Sequence, residues 1–215
     1  MVGGCASTPT NPNWISDPSD PINVKIEKAI RKSLKKPTGE LTEADLEKVT
    51  ELNLEGNQLT DVKELEKLTK LKTLSLGGNQ LTDVKGLEKL TQLNWLHLPF
   101  NQLTNVKGLE KLTKLEVLIL ADNQLTDVKG LEKLTKLRRL SLTSNKLTDG
   151  TGLEKLTQLT ELYLSNNQLT DVKGLEKLTQ LEKLILYVNP DLTKAQIEQL
   201  QKALPKCKIL SNPTK

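Results

Sequence analysis

Aromatic side chains are nearly missing from this chain: one Phe, two Trp and two Tyr in 215 residues. A globular core of that size normally uses more rings, so this core must be filled in another way. Cysteine is as scarce. Cys5 and Cys207 stand at opposite ends of the chain, which makes no disulfide framework. A single histidine, His97, excludes His-rich metal centres and any two-His catalytic arrangement. There is no GxSxG, no phosphate loop, no HExxH and no CxxC, and no cofactor or metal is expected. Carboxylates such as Glu51 and Glu161 fall on strands too far apart for paired acid–base work, so the chain is not read as an enzyme. No run of 18 apolar residues occurs, so no membrane-spanning helix is expected. The net charge is only +4, from 31 basic and 27 acidic residues, with both signs alternating in a recurring K-G-L-E-K segment. That segment reads as a solvated face, and without a stripe of one sign no nucleic-acid partner is expected.

Leucine takes the place of the missing rings, and it does so periodically. Residues 71–92 read LKTLSLGGNQLTDVKGLEKLTQ, and residues 93–114 read LNWLHLPFNQLTNVKGLEKLTK. A fixed period of 22 with leucines at LxxLxLxxN is the signature of a leucine-rich repeat solenoid, an α/β fold in which one residue type stacks in register. Seven repeats start at Val49, Leu71, Leu93, Leu115, Leu137, Leu159 and Leu181. Each opens with a short strand whose alternating leucines face the core, so the strands form a curved parallel sheet on the concave side. The return segment, with leucines three apart, suits a 3₁₀ or short helical turn on the convex side. The ninth position is always Asn, from Asn57 to Asn189. A buried amide there can bond the backbone of its own and neighbouring turns, a structural ladder. Repeat five reads Asp149-Gly150-Thr151-Gly152 in place of D-V-K-G, and a locally looser convex side is expected there.

The ends differ from the middle. Residues 1–19 hold prolines and small polar residues, the composition of a flexible tether. Residues 20–48 read as a helical N-terminal cap. Asp20 is its N-cap, Ile22, Ile26, Ala29, Ile30 and Leu34 lie on one face, Pro37 and Gly39 mark its end, and a second short helix is capped by Thr42 and Asp45. Repeats occupy 49–188. Residues 189–215 form a C-terminal cap and tail, with a Thr193/Gln196 capping box, a helix stopped by Pro205, and a last strand at Cys207-Lys208-Ile209. Cys207 is expected to be a buried small hydrophobe.

The unit LxxLxLxxNQLTDVxGLxxLTx resembles the internalin-type class of bacterial leucine-rich repeat proteins. The stretch AIRKSLKKPTGELTEADLEKVTEL resembles the helical cap that precedes such repeats in bacterial envelope proteins. Together they cover residues 20 to about 210. The resemblance implies a surface protein that binds partners on its concave face. It carries over the mode of binding only, because one scaffold serves many partners. VGGC at residues 2–5, with Ala6 and Ser7, resembles the end of a bacterial lipoprotein signal. Cys5 is therefore a lipidation candidate, with the cell envelope or extracellular space as location and a lipid anchor as the only membrane contact. The alternative is a disordered cytoplasmic N-terminus.

Positions that never vary serve the scaffold, so function is sought in those that do: the third, fifth, seventh and eighth of each repeat. Four of the five aromatics fall there, namely Trp95, Phe100, Tyr163 and Tyr187, while Trp14 sits in the tether. Val117 and Ile119 sit next to Trp95 and His97 and form one apolar patch, and Phe100 is a further candidate in repeat three. Tyr163, Ile185, Tyr187 and Val188 form a second, with Arg138 and Arg139 between. Trp, Tyr and Arg dominate binding hot spots, so a protein or peptide partner is the first expectation and a monomeric protein the expected state. Glycan binding through the aromatics and self-association remain as alternatives.

Overall fold

The computed structural model describes residues 17–213. Its centre is one parallel sheet of eight strands in sequence order. The strands are β1 (Glu51–Asn53), β2 (Thr73–Ser75), β3 (Trp95–His97), β4 (Val117–Ile119), β5 (Arg139–Ser141), β6 (Glu161–Tyr163), β7 (Lys183–Ile185) and β8 (Lys208–Leu210). Each of the first six pairs with its successor at a register of 22 residues, for example Trp95 opposite Thr73 and Val117, and β7 pairs with β8 at 25, Lys183 opposite Lys208. The chain returns between strands through 3₁₀ turns such as Leu87–Lys89. Helices α1 (Pro21–Leu34) and α2 (Glu43–Leu46) precede the sheet, and α3 (Lys194–Ala203) stands before β8.

One repeat shows why the sequence folds this way. Leu71, Leu74, Leu76, Leu81, Val84, Leu87 and Leu90 are all buried, and the same seven positions recur along the stack. A strand can bury only alternate residues, so Leu74 and Leu76 go inward and Thr73 and Ser75 stay on the outer face. The short strand must then turn inside the core, which exposes buried backbone groups to desolvation. The asparagine meets that demand. Asn145 Nδ2 donates to the Leu120, Leu142 and Thr143 carbonyls at 3.0, 3.1 and 3.3 Å. Its Oδ1 accepts from the Leu125 amide of the preceding repeat at 3.0 Å. One side chain thus ties a turn to itself and to its neighbour. Asn57 departs from the expected ladder. It is only half-buried and its amide nitrogen reaches no further than the Glu55 carbonyl, because helix rather than another strand precedes its repeat.

The K-G-L-E-K charges are less passive than a solvated face. In repeat two the Glu88 carboxylate accepts from the Gly86 amide at 2.6 Å, and Asp83 accepts from the Lys85 amide at 3.0 Å. At Glu110 and Glu154 the residue's own backbone amide and then that of Gly108 or Gly152 hold the carboxyl below the ordinary glutamate range. Gly86, Gly108, Gly130, Gly152 and Gly174 enter these turns at positive φ. In repeat one Glu64 stands at that place, and the 3₁₀ turn is longer, Lys63–Lys67. Repeat five is not looser where its valine is missing. Gly150 is buried, and Leu175 of the next repeat reaches into the space, so that a Cβ at Gly150 would lie 3.3 Å from Leu175 Cδ2.

Each open end of the sheet is covered. Helix α1 starts at the Asp20 cap with Pro21 next and turns Ile26 and Ile30 into the core. It ends at Leu34 with Lys35 in the left-handed region, earlier than Pro37 alone would require. Lys25 Nζ donates to the Asn57 carbonyl and Ser33 Oγ to the Glu51 carbonyl, so α1 satisfies groups that the edge strand leaves open. Helix α2 has the expected capping box, and the Lys36 ammonium with the Thr42 amide and hydroxyl holds Asp45 far below the usual carboxylate range. At the other end α3 has the Thr193/Gln196 box, and β8 pairs with β7. Cys207 is buried, which pushes its thiol pKa up.

Replacing Asn145 with Ala orphans several buried backbone groups, each worth about 1–3 kcal/mol. The expected loss in urea unfolding is about 3 kcal/mol, against under about 1 kcal/mol for Asn57→Ala. Equal losses at the two positions would overturn the ladder as described.

Candidate functional site

The outer face of the sheet carries the third and fifth positions of every repeat, and the turn that follows carries the seventh and eighth. The first expected patch is assembled as read. Trp95 and His97 of β3 lie beside Val117 and Ile119 of β4. The Trp95 and His97 rings stack, with centroids 5.3 Å apart and planes 18° from parallel. His97 Nδ1 lies 2.8 Å from Glu55 Oε1, two repeats away. A carboxylate can only accept, so this bond places a proton on Nδ1. The reach is possible because Gly77 lies between them. A Cβ there would come within 3.4 Å of the same nitrogen.

The second patch differs from the expectation. Arg139 and Arg138 are not two free cations between apolar residues. The Arg139 guanidinium contacts Glu161 Oε2 at 2.6 Å through Nη2 and at 2.9 Å through Nε. It donates to the Tyr163 hydroxyl at 3.3 Å, and that hydroxyl donates to Glu161 at 2.5 Å. The Tyr163 hydroxyl and the Glu161 carboxylate raise the guanidinium pKa, while the tyrosine hydroxyl and Arg139 lower that of Glu161. Lys183 Nζ approaches the other side of this network, 5.2 Å from the Tyr163 ring centre. An exposed network of this kind adds little stability, but it holds the tyrosine ring in one place. Arg138 is exposed just before β5 and takes no part in it. Ile185 pairs with Tyr163 across β6 and β7, and Tyr187 and Val188 follow in the next turn.

The eighth position holds a feature that the columns alone did not reveal. It sits in the left-handed region in every repeat: Gly56 and Gly78 at φ 66° and 65°, and Phe100, Asp122, Ser144, Asn166 and Val188 between 53° and 56°. Gly, Asp and Asn adopt or tolerate this conformation; Phe and β-branched Val do so at a cost. Yet Phe100 is 64% exposed and Val188 is 55% exposed, so neither recovers that cost by burial. Four large hydrophobic residues are exposed among the described residues. Three of them, Phe100, Tyr187 and Val188, lie in these turns, and the fourth, Val24, lies on α1. The sequence places Val188 in the second patch without marking it as a binding residue. Four of the seven residues in the column, Gly56, Gly78, Asp122 and Asn166, are of types that accept positive φ.

Beside Phe100 the turns leave a hollow of about 510 Å³, walled by Gly56, Gly78, Pro99, Phe100, Ile119 and Asp122. Among the described residues no group of three or more His, Cys, Asp or Glu could hold a metal ion. No helix there is long and apolar enough to cross a membrane. Cys5 and Trp14 lie outside the described residues.

Comparison with known proteins agrees with this geometry. A family model described as leucine-rich repeats in two copies matches residues 47–89, 113–156 and 157–202. Among solved structures, the chain is similar to an internalin (inlF) from Listeria monocytogenes. Identity is 29% over 91% of this chain and 60% of that one, with a TM-score of 0.82. It is also similar to internalin C2 of the same organism, with 29% identity over 91% of this chain and 89% of that one and a TM-score of 0.83. A leucine-rich repeat protein of Leptospira interrogans matches 79% of this chain and 57% of its own length at 27% identity, with a TM-score of 0.56. Among curated proteins none matches. The chain spans less than two thirds of the first of these internalins.

Phe100→Asn and Val188→Asn place a left-handed-tolerant residue where the backbone already demands one. Each is expected to raise stability by about 1 kcal/mol in urea unfolding. A loss of stability at both positions would show that the two side chains serve the fold.

Proposed function

The chain belongs to the leucine-rich repeat family, whose internalin-like members mediate protein–protein interaction, and from that premise we propose that it is a non-enzymatic module capturing a protein or peptide partner on the outer face of its sheet. The supporting observation is the pair Phe100 and Val188. Both are apolar, exposed and held at positive φ, where other repeats carry residues suited to the conformation. A fold gains nothing from such residues, whereas a partner that buries them does. Trp95, stacked on His97, and Tyr163, held by Arg139 and Glu161, are the preset rings of the same surface. Three strand spacings separate β3 from β6, roughly 14 Å, so one partner can cover both.

The test is Trp95→Ala combined with Tyr187→Ala. The double variant keeps the wild-type free energy of unfolding within about 0.5 kcal/mol, as surface changes do, and loses stoichiometric capture of the partner. The captured protein, purified, must then bind wild type and not the variant. Retention on a polysaccharide array in place of protein capture would favour glycan binding. Sedimentation as a dimer would favour self-association.

The location we propose is the cell envelope, with Cys5 lipidated and the Pro-rich segment as spacer. The support is the VGGC pattern, the segment's composition and the likeness to internalins. The full natural product should partition into the detergent phase, and Cys5→Ala should return it to the aqueous phase. Aqueous partitioning of both forms would refute the anchor.

A further inference from the structure

Resting on the reading of the sheet face as a protein-binding surface, we propose that the hollow beside Phe100 is a receptor for one basic side chain of the partner, an arginine above all. The hollow is built by four consecutive turns, which contribute Glu55-Gly56, Gly77-Gly78, Pro99-Phe100 and Ala121-Asp122, with His97 of β3 and Ile119 of β4 beside them. At their eighth positions, Gly56 and Gly78, two adjacent turns therefore place no side chain on this surface. A Cβ at Gly56 would meet nothing within 4 Å, and one at Gly78 would meet only the Gly56 backbone at 3.7 Å. The next turn carries Phe100, exposed and held at φ 54°. The result is a slot with an open glycine side, a phenyl wall and a proline floor.

The carboxylates at its two ends are not equivalent. Glu55 is taken by His97 Nδ1. Asp122 stands in the turn beside Phe100 and is half-buried, and among the described residues no donor or cation is bonded to its carboxylate. Its column neighbour Ser144 is bonded by Asn166 Nδ2 at 3.1 Å, so the open state of Asp122 is not general to the turn.

That combination selects the occupant. A purely apolar side chain would fill the slot but would strip water from Asp122 without replacing it, which costs free energy. An anion is repelled by both carboxylates. An arginine matches both the apolar walls and the open carboxylate. Its methylene stem lies on the glycines and Pro99, its planar guanidinium faces the Phe100 ring, and its paired N–H groups meet the Asp122 carboxylate in a fork. Lysine offers the charge and the stem but not the fork.

The test uses the full chain, labelled with nitrogen-15 and titrated with acetyl-Gly-Arg-Gly-amide. The same tripeptide with lysine, norleucine or tryptophan at the centre gives the comparison. The expected result is a saturable shift of the Gly77, Gly78, Phe100 and Asp122 amides, with the arginine peptide binding several-fold tighter than the norleucine peptide. Asp122→Asn should weaken the arginine peptide roughly tenfold and leave the norleucine peptide unchanged. Gly78→Asn fills the slot without disturbing the backbone, since Asn166 occupies the equivalent position at φ 55°. It should abolish the shifts while the rest of the spectrum is kept. Norleucine or tryptophan peptides binding as tightly as arginine would overturn the proposal, as would no saturable shift at these amides. So would an Asp122→Asn variant that binds like wild type. Any of these results, with partner capture still lost in the Trp95/Tyr187 double variant, removes the arginine slot alone and leaves the broader reading in place.

Discussion

The asparagine amide is the interaction on which the rest depends. A strand of three residues cannot satisfy its own backbone, and the turn that follows it lies against the leucine core. From Asn79 to Asn189 one buried side chain closes that deficit, donating to carbonyls of its own turn and of the preceding repeat and accepting an amide from that repeat. Leucine burial supplies the driving force for stacking, but it is non-directional. The asparagine ladder gives the stack its register, and with register come the straight columns on the outer face.

A ladder has two ends, and each is solved with different chemistry. Helix α1 lays Ile26 and Ile30 on the first leucine layer and lends Lys25 and Ser33 to the backbone of repeat one. At the far end β8 continues the sheet, and Asn212 Oδ1 accepts from the Val188 amide at 2.7 Å, standing in for the carbonyl that another repeat would offer. Asn57 falls outside the ladder for the same reason that caps are needed: its neighbour on one side is a helix.

Register also creates the eighth-position constraint. Every repeat turns through positive φ at that place, and in the first six its amide bonds to the seventh carbonyl of the next repeat, as Phe100 does to Ala121. Residues that ignore this constraint stand out physically. Phe100 and Val188 carry backbone strain and exposed apolar surface together, and strain kept without a structural return collects at functional positions. The hollow is a by-product of the same column, since glycines that satisfy the turn at Gly56 and Gly78 also leave the space beside Phe100 empty.

The amino-acid sequence by itself determined the period, the seven buried positions, the sequential parallel sheet and both kinds of cap, because each rests on local chemistry or on a repeat of 22 residues. It also determined which columns face outward, and so Trp95, His97, Val117 and Ile119 come together as read. Only the tertiary structure decided how side chains in those columns meet. Arg139 turns to Glu161 and Tyr163, His97 crosses Gly77 to Glu55, Leu175 fills the space at Gly150, and the Asp122 carboxylate has no partner among the described residues. Periodicity places residues in columns, but rotamers and the identity of the neighbour one or two repeats away decide their contacts. Those choices are made across a strand spacing in space and at least 22 residues apart in the chain, where no local pattern records them.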